Sequence, residues 1–297
     1  YLPSKYFYDE KGDEIFQRIM QMEEYYLTAS EYEILTMNKQ KFLDIFHNDS
    51  ARFYLIELGA GDGFKTKVLL RHFCANEANF KYLPVDISEN VCNLLENGLK
   101  KEFDNLDFRT INDDYFNFLD ELKRHDSHRK VIMFMGSNIG NFRDDRAVEF
   151  LSRISKDMNE GDLLMVGFDL KKDPEKILNA YNDRYGITAS FNLNLLDRIN
   201  AELDGDFDTT AFTHYPVYDP DTGDCKSYLI SQKKQEVQLK AIDENIEFGL
   251  WESIFMEVSK KYDIPGIEKI GDDAGLKVVE HFFDCKHYFV DTLYTVK

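Results

Sequence analysis

The stretch LIELGAGDGFKTKVLL, residues Leu55–Leu70, decides the fold of this chain. An apolar run ends in the turn GAGDG (Gly59–Gly63), and helix-forming residues begin directly after it. A strand, a glycine-rich turn and a helix in this order predict the first connection of an α/β sheet. The glycines permit positive φ angles and close approach of a ligand, and the helix start offers unpaired amide groups. The turn is therefore the first candidate ligand site.

Short apolar runs alternate with helical stretches from Phe53 to about Leu170. The strand candidates are FYLIEL, YLPVDI, DFRTI, VIMFMG and DLLMVGF, and helices are predicted from Lys65, from Ser88, near Tyr115 and from Asp144. Near-continuous apolar strands separated by amphipathic helices predict a parallel sheet covered on both faces. The final runs KVVEHFFD and YFVDTLYTVK predict an antiparallel pair at the sheet edge. This α/β topology is that of the Rossmann-like class I methyltransferases, whereas dinucleotide dehydrogenases usually keep parallel edge strands.

Two other regions do not follow this alternation. Residues 1–47 predict a loop and helices, with Ser30 and Glu33 forming a capping box ahead of an apolar run. The region from about Pro174 to Leu250 predicts two helices and then a hairpin whose turn is YDPDTGD. These segments predict a smaller α+β substrate-binding domain or lid, above the carboxyl ends of the strands.

The expected domain boundaries follow from these patterns. Residues 48–172 and 251–297 form the predicted cofactor-binding sheet domain, and residues 1–47 and 173–250 form the predicted smaller domain. Neither an internal repeat nor a low-complexity linker interrupts this division. We therefore expect two unequal domains, each built from separated segments of the chain.

The composition excludes several classes of partner. The chain carries 55 acidic and 36 basic residues, a formal net charge of −19, which repels nucleic-acid phosphates and anionic lipid surfaces. It contains no apolar window of about 18 residues, so we expect a soluble protein that acts on a small molecule. No long apolar surface stripe is visible, and we expect a monomer.

The cysteines and histidines lack the spacing of a disulfide framework or a metal site. Cys74, Cys92, Cys225 and Cys285 are scattered, which favours buried reduced thiols and a cytoplasmic location. The nearest approach to a metal motif is HFFDCKH, from His281 to His287, and we interpret the scatter as packing. No metal is expected.

Polar residues after the second and third strands predict an adenosine pocket. Asp86 ends the run LPVDIS, where a carboxylate can accept both hydroxyls of a ribose. Asp114 and Tyr115 follow the third strand, where they can bind an adenine amino group and stack on its ring. The alternative is that both aspartates only cap the following helices. The glycine turn alone suits either a pyrophosphate or the amino-acid part of S-adenosylmethionine.

The loop MFMGSNIGNF, Met133–Phe142, follows the fourth strand at the same edge of the predicted sheet. Asn141 can offer both a donor and an acceptor to a polar substrate. An ordinary turn rich in glycine and asparagine is the alternative interpretation.

Several segments together resemble the histidine-specific, S-adenosylmethionine-dependent Nα-methyltransferases of ergothioneine biosynthesis. The matching segments are LPSKYFYDEKGDEIF, EEYYLTASEYEIL, IELGAGDGFKT, LPVDIS, GSNIGNF, NAYNDRYGITASFNLNLLDRIN and MEVSKKY. They occur in order over nearly the full chain. The amino-terminal and GSNIGNF motifs do not belong to methyltransferases generally, so the combination is specific for this family.

The resemblance implies a role for each matched residue. The implied contacts to S-adenosylmethionine are Tyr25, Gly59, Lys65, Asp86, Asp114 and Tyr115. The implied substrate contacts are Asn141 and Tyr181 at the amino-acid end, with Glu257 and Ser259 at the imidazole. Tyr8 resembles the family tyrosine beside the reacting amine, so Tyr8 and Asn141 are the candidate catalytic residues.

The spacing of Glu257 and Ser259 agrees with this implied role. Residues two apart in an extended segment face the same way, so a carboxylate and a hydroxyl can bind both ring nitrogens of histidine. Without the resemblance, EVSKKY is equally consistent with an exposed strand. A lysine in a first helical turn, such as Lys65, is likewise more often solvated than bound to a ligand.

One position departs from the family pattern. In the hairpin, the family usually carries methionine before an aromatic residue close to the substrate imidazole, whereas here Ser227 precedes Tyr228.

The resemblance implies up to three methyl transfers to the α-amino nitrogen of histidine. Ser227 leaves a second hypothesis open, in which the acceptor is another amino acid, a histidine derivative or an amine. A third hypothesis is a sensor that binds S-adenosylmethionine or histidine without turnover.

Overall fold

The structure, a computed structural model, describes residues 4–47, 51–125 and 128–297. The chain divides into two compact units. The sheet unit comprises Leu27–Lys171 and Lys261–Lys297, and the hairpin unit comprises Tyr1–Tyr26 and Lys172–Lys260. Each unit therefore draws on two separated segments of the chain.

The sheet unit is organised around a seven-stranded mixed sheet within the described residues. With strands numbered along the whole chain, its members are β1 (Phe53–Leu58), β2 (Phe80–Asp86), β3 (Ile111–Asn112), β4 (Arg129–Phe134), β5 (Leu163–Asp169), β11 (Leu276–Phe283) and β12 (Phe289–Val296). Their order is β11-β12-β5-β4-β1-β2-β3. Strand β1 pairs in parallel with β2 and β4, whereas β12 pairs antiparallel with both β5 and β11. The predicted parallel sheet with an antiparallel edge pair is confirmed.

The central strands are buried on both faces, as their apolar runs predict. Every residue of β5 is buried, and so are five of the six residues of β1. The helices numbered with this unit are α2 (Tyr26–Phe46), α3 (Lys67–Ala75), α4 (Glu89–Glu102), α5 (Tyr115–His125), α6 (Asp144–Asp157) and α9 (Ile264–Asp273). One strand prediction was too long, because the DFRTI region contributes only β3 and an isolated bridge between Tyr82 and Phe108.

Helix α2 corrects the predicted capping box. The helix begins at Tyr26, so Ser30 and Glu33 lie inside it rather than at its start. The Ser30 hydroxyl donates to Asp284 Oδ2 at 3.4 Å, and Glu33 Oε2 accepts from the Cys285 amide at 3.1 Å. The prediction failed because the two side chains that resemble a local cap bind a distant loop instead.

The same helix explains why the observed boundaries differ from the predicted ones. Phe42 of α2 lies against Phe282, with ring centroids 4.5 Å apart, and Phe46 lies against Phe53. Arg129 Nη1 donates to the last carbonyls of the helix, including that of Phe46 at 2.7 Å. From Leu27 onward, the helix is therefore part of the sheet unit, although the sequence pattern grouped residues 1–47 together.

The hairpin unit combines helices with two small antiparallel sheets. Its helices are α1 (Glu10–Met20), α7 (Pro174–Tyr181) and α8 (Ile187–Leu203), and its strands are β6 (Phe212–Tyr218), β7 (Asp224–Ser231), β8 (Gln235–Leu239), β9 (Glu244–Phe248) and β10 (Ser253–Lys260). One sheet has the order β10-β7-β6 and the other pairs β8 with β9. The predicted hairpin is confirmed as β6 and β7, and its turn is closed by the Gly223 amide bonded to the Asp219 carbonyl at 2.8 Å. The sequence pattern did not predict the β8-β9 hairpin.

Strand β10 accounts for the other boundary difference. It pairs antiparallel with β7 over nearly its full length, so it belongs to the hairpin unit up to Lys260. The predicted division assigned everything from residue 251 to the sheet domain. Pairing with a strand earlier in the chain cannot be inferred from local periodicity.

The described residues contain neither a membrane-spanning helix nor a metal-binding cluster. None of their helices is long and apolar enough to cross a bilayer. They contain no group of three His, Cys, Asp or Glu side chains suited to a metal ion. The four cysteines are free, but only Cys92 and Cys225 are buried, and the expectation of burial is wrong for the exposed Cys285.

A glycine in the middle of β5 yields a stability prediction. A Cβ on Gly167 would overlap Glu31 Oε1 and would lie 3.0 Å from Phe289 Cε1. We expect Gly167→Ala to lower the free energy of unfolding by about 1–3 kcal/mol, because neighbours on both sides must shift. Urea denaturation measures this change. The control is Gly98→Ala in α4, where the new Cβ meets only the flexible end of Lys67 at 3.5 Å. An equal loss in both variants would contradict the prediction.

Candidate functional site

The glycine turn after β1 has the geometry of a ligand cradle. Gly59, Gly61 and Gly63 have φ angles of +74°, +56° and +66°, which side chains rarely adopt. A Cβ on Gly59 would lie 2.8 Å from the hydroxyl of Tyr115, so this glycine is required by packing as well. A Cβ on Gly61 would meet no atom within 4 Å, so there is open space at the middle of the turn.

Asp86, at the end of β2, holds the same turn from the side. Its Oδ2 accepts from the Gly61 amide at 3.2 Å, and its Oδ1 accepts from the Ser88 amide at 3.0 Å. Burial raises the pKa of Asp86, and the backbone hydrogen bonds oppose that rise. The hydroxyl of Ser88 is the N-cap of α4, because it accepts from the Val91 amide at 3.3 Å. Asp86 therefore connects the glycine turn to the start of α4, and each of its oxygens can accept further hydrogen bonds.

Asp114 and Tyr115 lie at the start of α5. Asp114 is exposed, and its Oδ1 accepts from the Phe116 amide at 3.0 Å, which fits the alternative role of a helix cap. The ring of Tyr115 packs edge-on against Phe134 and Phe150, while its hydroxyl reaches Gly59. Burial raises the pKa of Tyr115, so the hydroxyl stays protonated and can donate a hydrogen bond.

The loop after β4 approaches the glycine turn. Gly136 and Ser137 are consecutive residues with positive φ angles, of +76° and +57°. The amide side chain of Asn138 follows, and its Nδ2 lies 3.5 Å from the Cβ position of Gly59 and 3.6 Å from that of Gly136. Asn141 is half-buried at the end of the 3-10 helix Asn138–Asn141. Asn138 was quoted in the sequence motif without a role, and only the fold shows that it lies between the two glycines.

Lys65, a predicted cofactor contact beside the turn, is paired with an acidic side chain. Its Nζ forms an ion pair with Glu31 of α2, whose carboxylate is fully buried. Glu57, the penultimate residue of β1, is also buried and accepts from Thr66 Oγ1 at 2.6 Å and from the hydroxyl of Tyr82. Burial raises the pKa of Glu57 to about 7. Glu31 and Glu57 lie in no spacing pattern that would indicate a role from the sequence.

The substrate candidates of the hairpin unit share one face of the β10-β7-β6 sheet. Glu257 pairs with Ser227 across the strands, and Ser259 pairs with Cys225. Directly opposite residues in an antiparallel pair project to the same side, so these side chains lie together. The hydroxyl of Tyr181 donates to Ser259 Oγ at 2.8 Å. The predicted common orientation of Glu257 and Ser259 is confirmed.

Tyrosines of the same unit form a connected aromatic group. Tyr8 contacts Phe16 edge-on at 5.6 Å, and Phe16 contacts Tyr25 at 6.5 Å. Tyr25 in turn contacts Tyr181 at 6.3 Å. Tyr8 and Tyr181 are thus linked through the rings of Phe16 and Tyr25. Tyr25, which the resemblance assigned to the cofactor, lies in this group rather than in the sheet unit.

His214 of β6 was not among the sequence candidates. His214 pairs with Leu229, which lies two residues after Ser227 on β7. It therefore faces the same side of the sheet as Ser227. Burial lowers the pKa of His214 to about 4, with Asp183 opposing the shift, so the imidazole is neutral near pH 7. Its Nε2 has no hydrogen-bond partner among the residues that the structure describes. The alternating pattern of AFTHYPV signals that His214 faces inward, but gives it no function.

The sheet unit fits S-adenosylmethionine. The open space at Gly61 leaves room for the amino-acid part of the cofactor, and the Asp86 carboxylate suits a ribose. A seven-stranded sheet with an antiparallel edge pair, together with this glycine turn, is the fold of the Rossmann-like class I methyltransferases. The chain belongs to the histidine-specific, S-adenosylmethionine-dependent methyltransferase family, whose family model matches residues 1–296.

Curated relatives agree with this assignment. The chain is 33% identical over 261 residues to the histidine N-alpha-methyltransferase of Mycobacterium tuberculosis, covering 88% of this chain and 79% of that protein. It is 31% identical over 283 residues to the histidine N-alpha-methyltransferase of Mycolicibacterium smegmatis, covering 95% and 86%. Among solved structures, mitomycin 7-O-methyltransferase MmcR has a TM-score of 0.51 at 12% identity, covering 98% of this chain and 59% of that one. The last comparison supports the fold alone.

Proposed function

We propose that this enzyme transfers methyl groups from S-adenosylmethionine to the α-amino nitrogen of L-histidine, up to three times, giving hercynine. The observation that carries the proposal is the polar face of β10 and β7, on which Glu257, Ser259 and Ser227 lie together. A carboxylate and a hydroxyl complement the two ring nitrogens of an imidazole. The carboxylate accepts a hydrogen bond from one nitrogen, and the hydroxyl can donate to or accept from the other. The names and the family of the related proteins support the same substrate.

The proposed cofactor site uses the residues around the glycine turn. Gly59 and its neighbours offer backbone amides, and Asp86 accepts from the ribose hydroxyls. Asp114 and Tyr115 stand at the adenine end, and we retain Tyr25 and Lys65 as proposed cofactor contacts of the family pattern. When bound, S-adenosylmethionine supplies a sulfonium methyl group for an in-line displacement.

The proposed mechanism depends on orientation of the substrate. Asn141 and Tyr181 hold the amino-acid end of histidine, while Glu257 and Ser259 hold the ring. Because a free amine is mostly protonated near neutrality, a proton must leave before each transfer. Tyr8 orients the amine and assists that loss, with bulk solvent as the final acceptor. Neighbouring tyrosine rings tolerate the growing quaternary ammonium through their faces.

Mass spectrometry of the purified enzyme with S-adenosylmethionine and a panel of amino acids tests this function. We expect histidine to gain one, two and finally three methyl groups, because a fully methylated amine can no longer react. Methyl derivatives of histidine belong in the panel, and enzyme without S-adenosylmethionine is the control. Absence of any mass gain on histidine would refute the proposed substrate.

A second acceptor class is supported by Ser227. This side chain is only 1% exposed and lies directly opposite Glu257, so it shapes the face assigned to the ring. A small hydroxyl there leaves room for a substituted ring or another amino acid. Methylation of such a compound without methylation of histidine would favour this alternative.

The sensor hypothesis is set aside, because the chain belongs to an enzyme family. A monomeric state and a cytoplasmic location remain predictions.

A further inference from the structure

A buried cluster of charged side chains lies beside the glycine turn in the sheet unit. It consists of Glu31 from α2, Glu57 from β1, Lys65 from the segment before α3 and Asp291 from β12. The three carboxyl groups are almost completely buried, with exposures of 0%, 3% and 0% for Glu31, Glu57 and Asp291. Burying three carboxyl groups around one lysine costs free energy of folding unless each group has a defined partner.

Glu31 makes the connections within this cluster. Its two carboxylate oxygens accept from the Gly136 amide at 2.8 and 3.0 Å. The same carboxylate forms the ion pair with Lys65. Glu31 therefore joins the loop after β4 to the residue that follows the glycine turn. Lys65 Nζ also lies 3.5 Å from the Cβ position of Gly136, so the three groups are in mutual contact.

The loop that Glu31 holds is strained. Gly136 and Ser137 both adopt positive φ angles, and such a conformation in a serine persists only where its surroundings enforce it. The loop is held on its other side by the Asp169 amide, which donates to Ser137 Oγ at 3.1 Å. Loss of the bond from Glu31 would release one side of the loop. The side chain of Asn138, which lies against Gly59, would then lose its fixed position.

The charge balance shows that Lys65 depends on Glu31. Burial and the adjacent Glu31 raise the pKa of Asp291 well above its ordinary value, and Lys65 opposes that rise. Neither Asp291 oxygen receives a hydrogen bond from a donor in the described residues. Burial would lower the pKa of Lys65, but Glu31 and the other acids raise it, so the lysine stays charged. Glu31 thus supplies the compensating charge.

We propose that Glu31 is a positioning residue that holds the glycine turn and the loop after β4 in register, and thereby sets the affinity for S-adenosylmethionine without contacting it. The proposal rests on the cofactor site proposed above. In this role, Lys65 is primarily the ion-pair partner of Glu31. The Lys65 ammonium group transmits the constraint from Glu31 to the glycine turn. The proposal assigns a function to a helix residue that lies outside the strand ends at which ligands of such sheets usually bind.

Calorimetry of S-adenosylhomocysteine binding tests this role. We expect Glu31→Gln to weaken binding at pH 7 by roughly tenfold or more, because an ionic acceptor is lost and half-buried Lys65 loses its ion-pair partner. The control is Glu33→Gln, two residues along the same helix, where a carboxylate also accepts a backbone amide. The KM for S-adenosylmethionine should rise in the Glu31 variant, and the KM for the methyl acceptor should not.

A pH series distinguishes positioning from a general loss of stability. In Glu31→Gln, the groups that face Lys65 are Asp291 and Glu57, and both can ionise as the pH rises. Loss of the Glu31 charge also removes one cause of the raised pKa of Asp291. We therefore expect the variant to regain affinity, relative to the wild type, as the pH rises through the range around pH 7 in which Glu57 ionises. The double variant Glu31→Gln, Asp291→Asn should regain less.

The outcomes separate this inference from the proposed function. If wild-type protein binds S-adenosylhomocysteine and Glu31→Gln binds it within twofold, the positioning role is overturned and the function stands. If the wild type binds but transfers no methyl group to histidine, the proposed substrate fails and the positioning role is still testable. Should Glu31→Gln not fold, the double variant Glu31→Gln, Lys65→Met removes the lysine that would lose its ion-pair partner. Weaker binding by the folded double variant than by Lys65→Met alone supports the inference, and equal affinity of the two overturns it.

Discussion

Replacing Glu257 with alanine is expected to weaken histidine binding by roughly 10- to 100-fold while leaving S-adenosylhomocysteine binding unchanged. Glu257 is half-buried on the face that carries Ser227 and Ser259, where a ring nitrogen of the substrate would lose its charged partner. A buried donor without an acceptor incurs the full free-energy cost of its desolvation, which is larger than the gain from an ordinary hydrogen bond. Titration of histidine into the enzyme saturated with S-adenosylhomocysteine measures the effect.

The matched control is Glu247→Ala, an exposed glutamate in β9 of the same unit. It removes the same side chain from a different small sheet and should leave both affinities unchanged. Unaltered histidine affinity in Glu257→Ala would show that the polar face of β10 does not hold the ring. A parallel loss of S-adenosylhomocysteine affinity would indicate a disturbed fold rather than a lost contact.

Replacing Asp86 with alanine is expected to weaken S-adenosylhomocysteine binding by roughly 100-fold. The variant loses the carboxylate proposed to accept from the ribose and, at the same time, the bonds to the Gly61 and Ser88 amides. The bond to the Gly61 amide supports the glycine turn, so the backbone that approaches the cofactor is also less well held. Calorimetry with S-adenosylhomocysteine checks the magnitude.

Two further variants separate the direct contact from the support of the turn. Asp86→Asn keeps an oxygen that can accept one backbone amide, but it has no charge to offer the ribose. We expect it to bind more tightly than Asp86→Ala and more weakly than the wild type. Asp104→Ala, an exposed aspartate of the same unit, is the control. Wild-type affinity in Asp86→Ala would contradict the proposed adenosine pocket.

Much of the sheet unit could be predicted from the sequence. The central strands are buried on both faces, so their apolar runs are visible locally, and the closing pair is short enough to be recognised as a hairpin. The prediction failed where a side chain bound a distant group. Ser30 and Glu33 have the spacing of a capping box, yet they bind Asp284 and Cys285 from inside α2.

The candidate site was predictable in part. The two-residue spacing of Glu257 and Ser259 was sufficient to place them on one face, because side chains alternate along any strand. Their partner Ser227 was suggested only by resemblance. Cross-strand register depends on the whole pairing, including the irregularity between Phe255 and Glu257, and local spacing does not encode it. The roles of these residues in binding stay predictions.

The sequence by itself determined the α/β fold class, because this class depends on local periodicity. It also determined the glycine turn, which depends on backbone freedom at glycine, and the family, which depends on contiguous motifs. Only the tertiary structure decided that Glu31 joins Gly136 to Lys65, and that Asn138 lies between two glycines. It alone also decided that the pKa values of Asp291 and Glu57 are raised. Desolvation and charge pairing depend on which distant segments surround a group, and that arrangement exists only once the chain has folded.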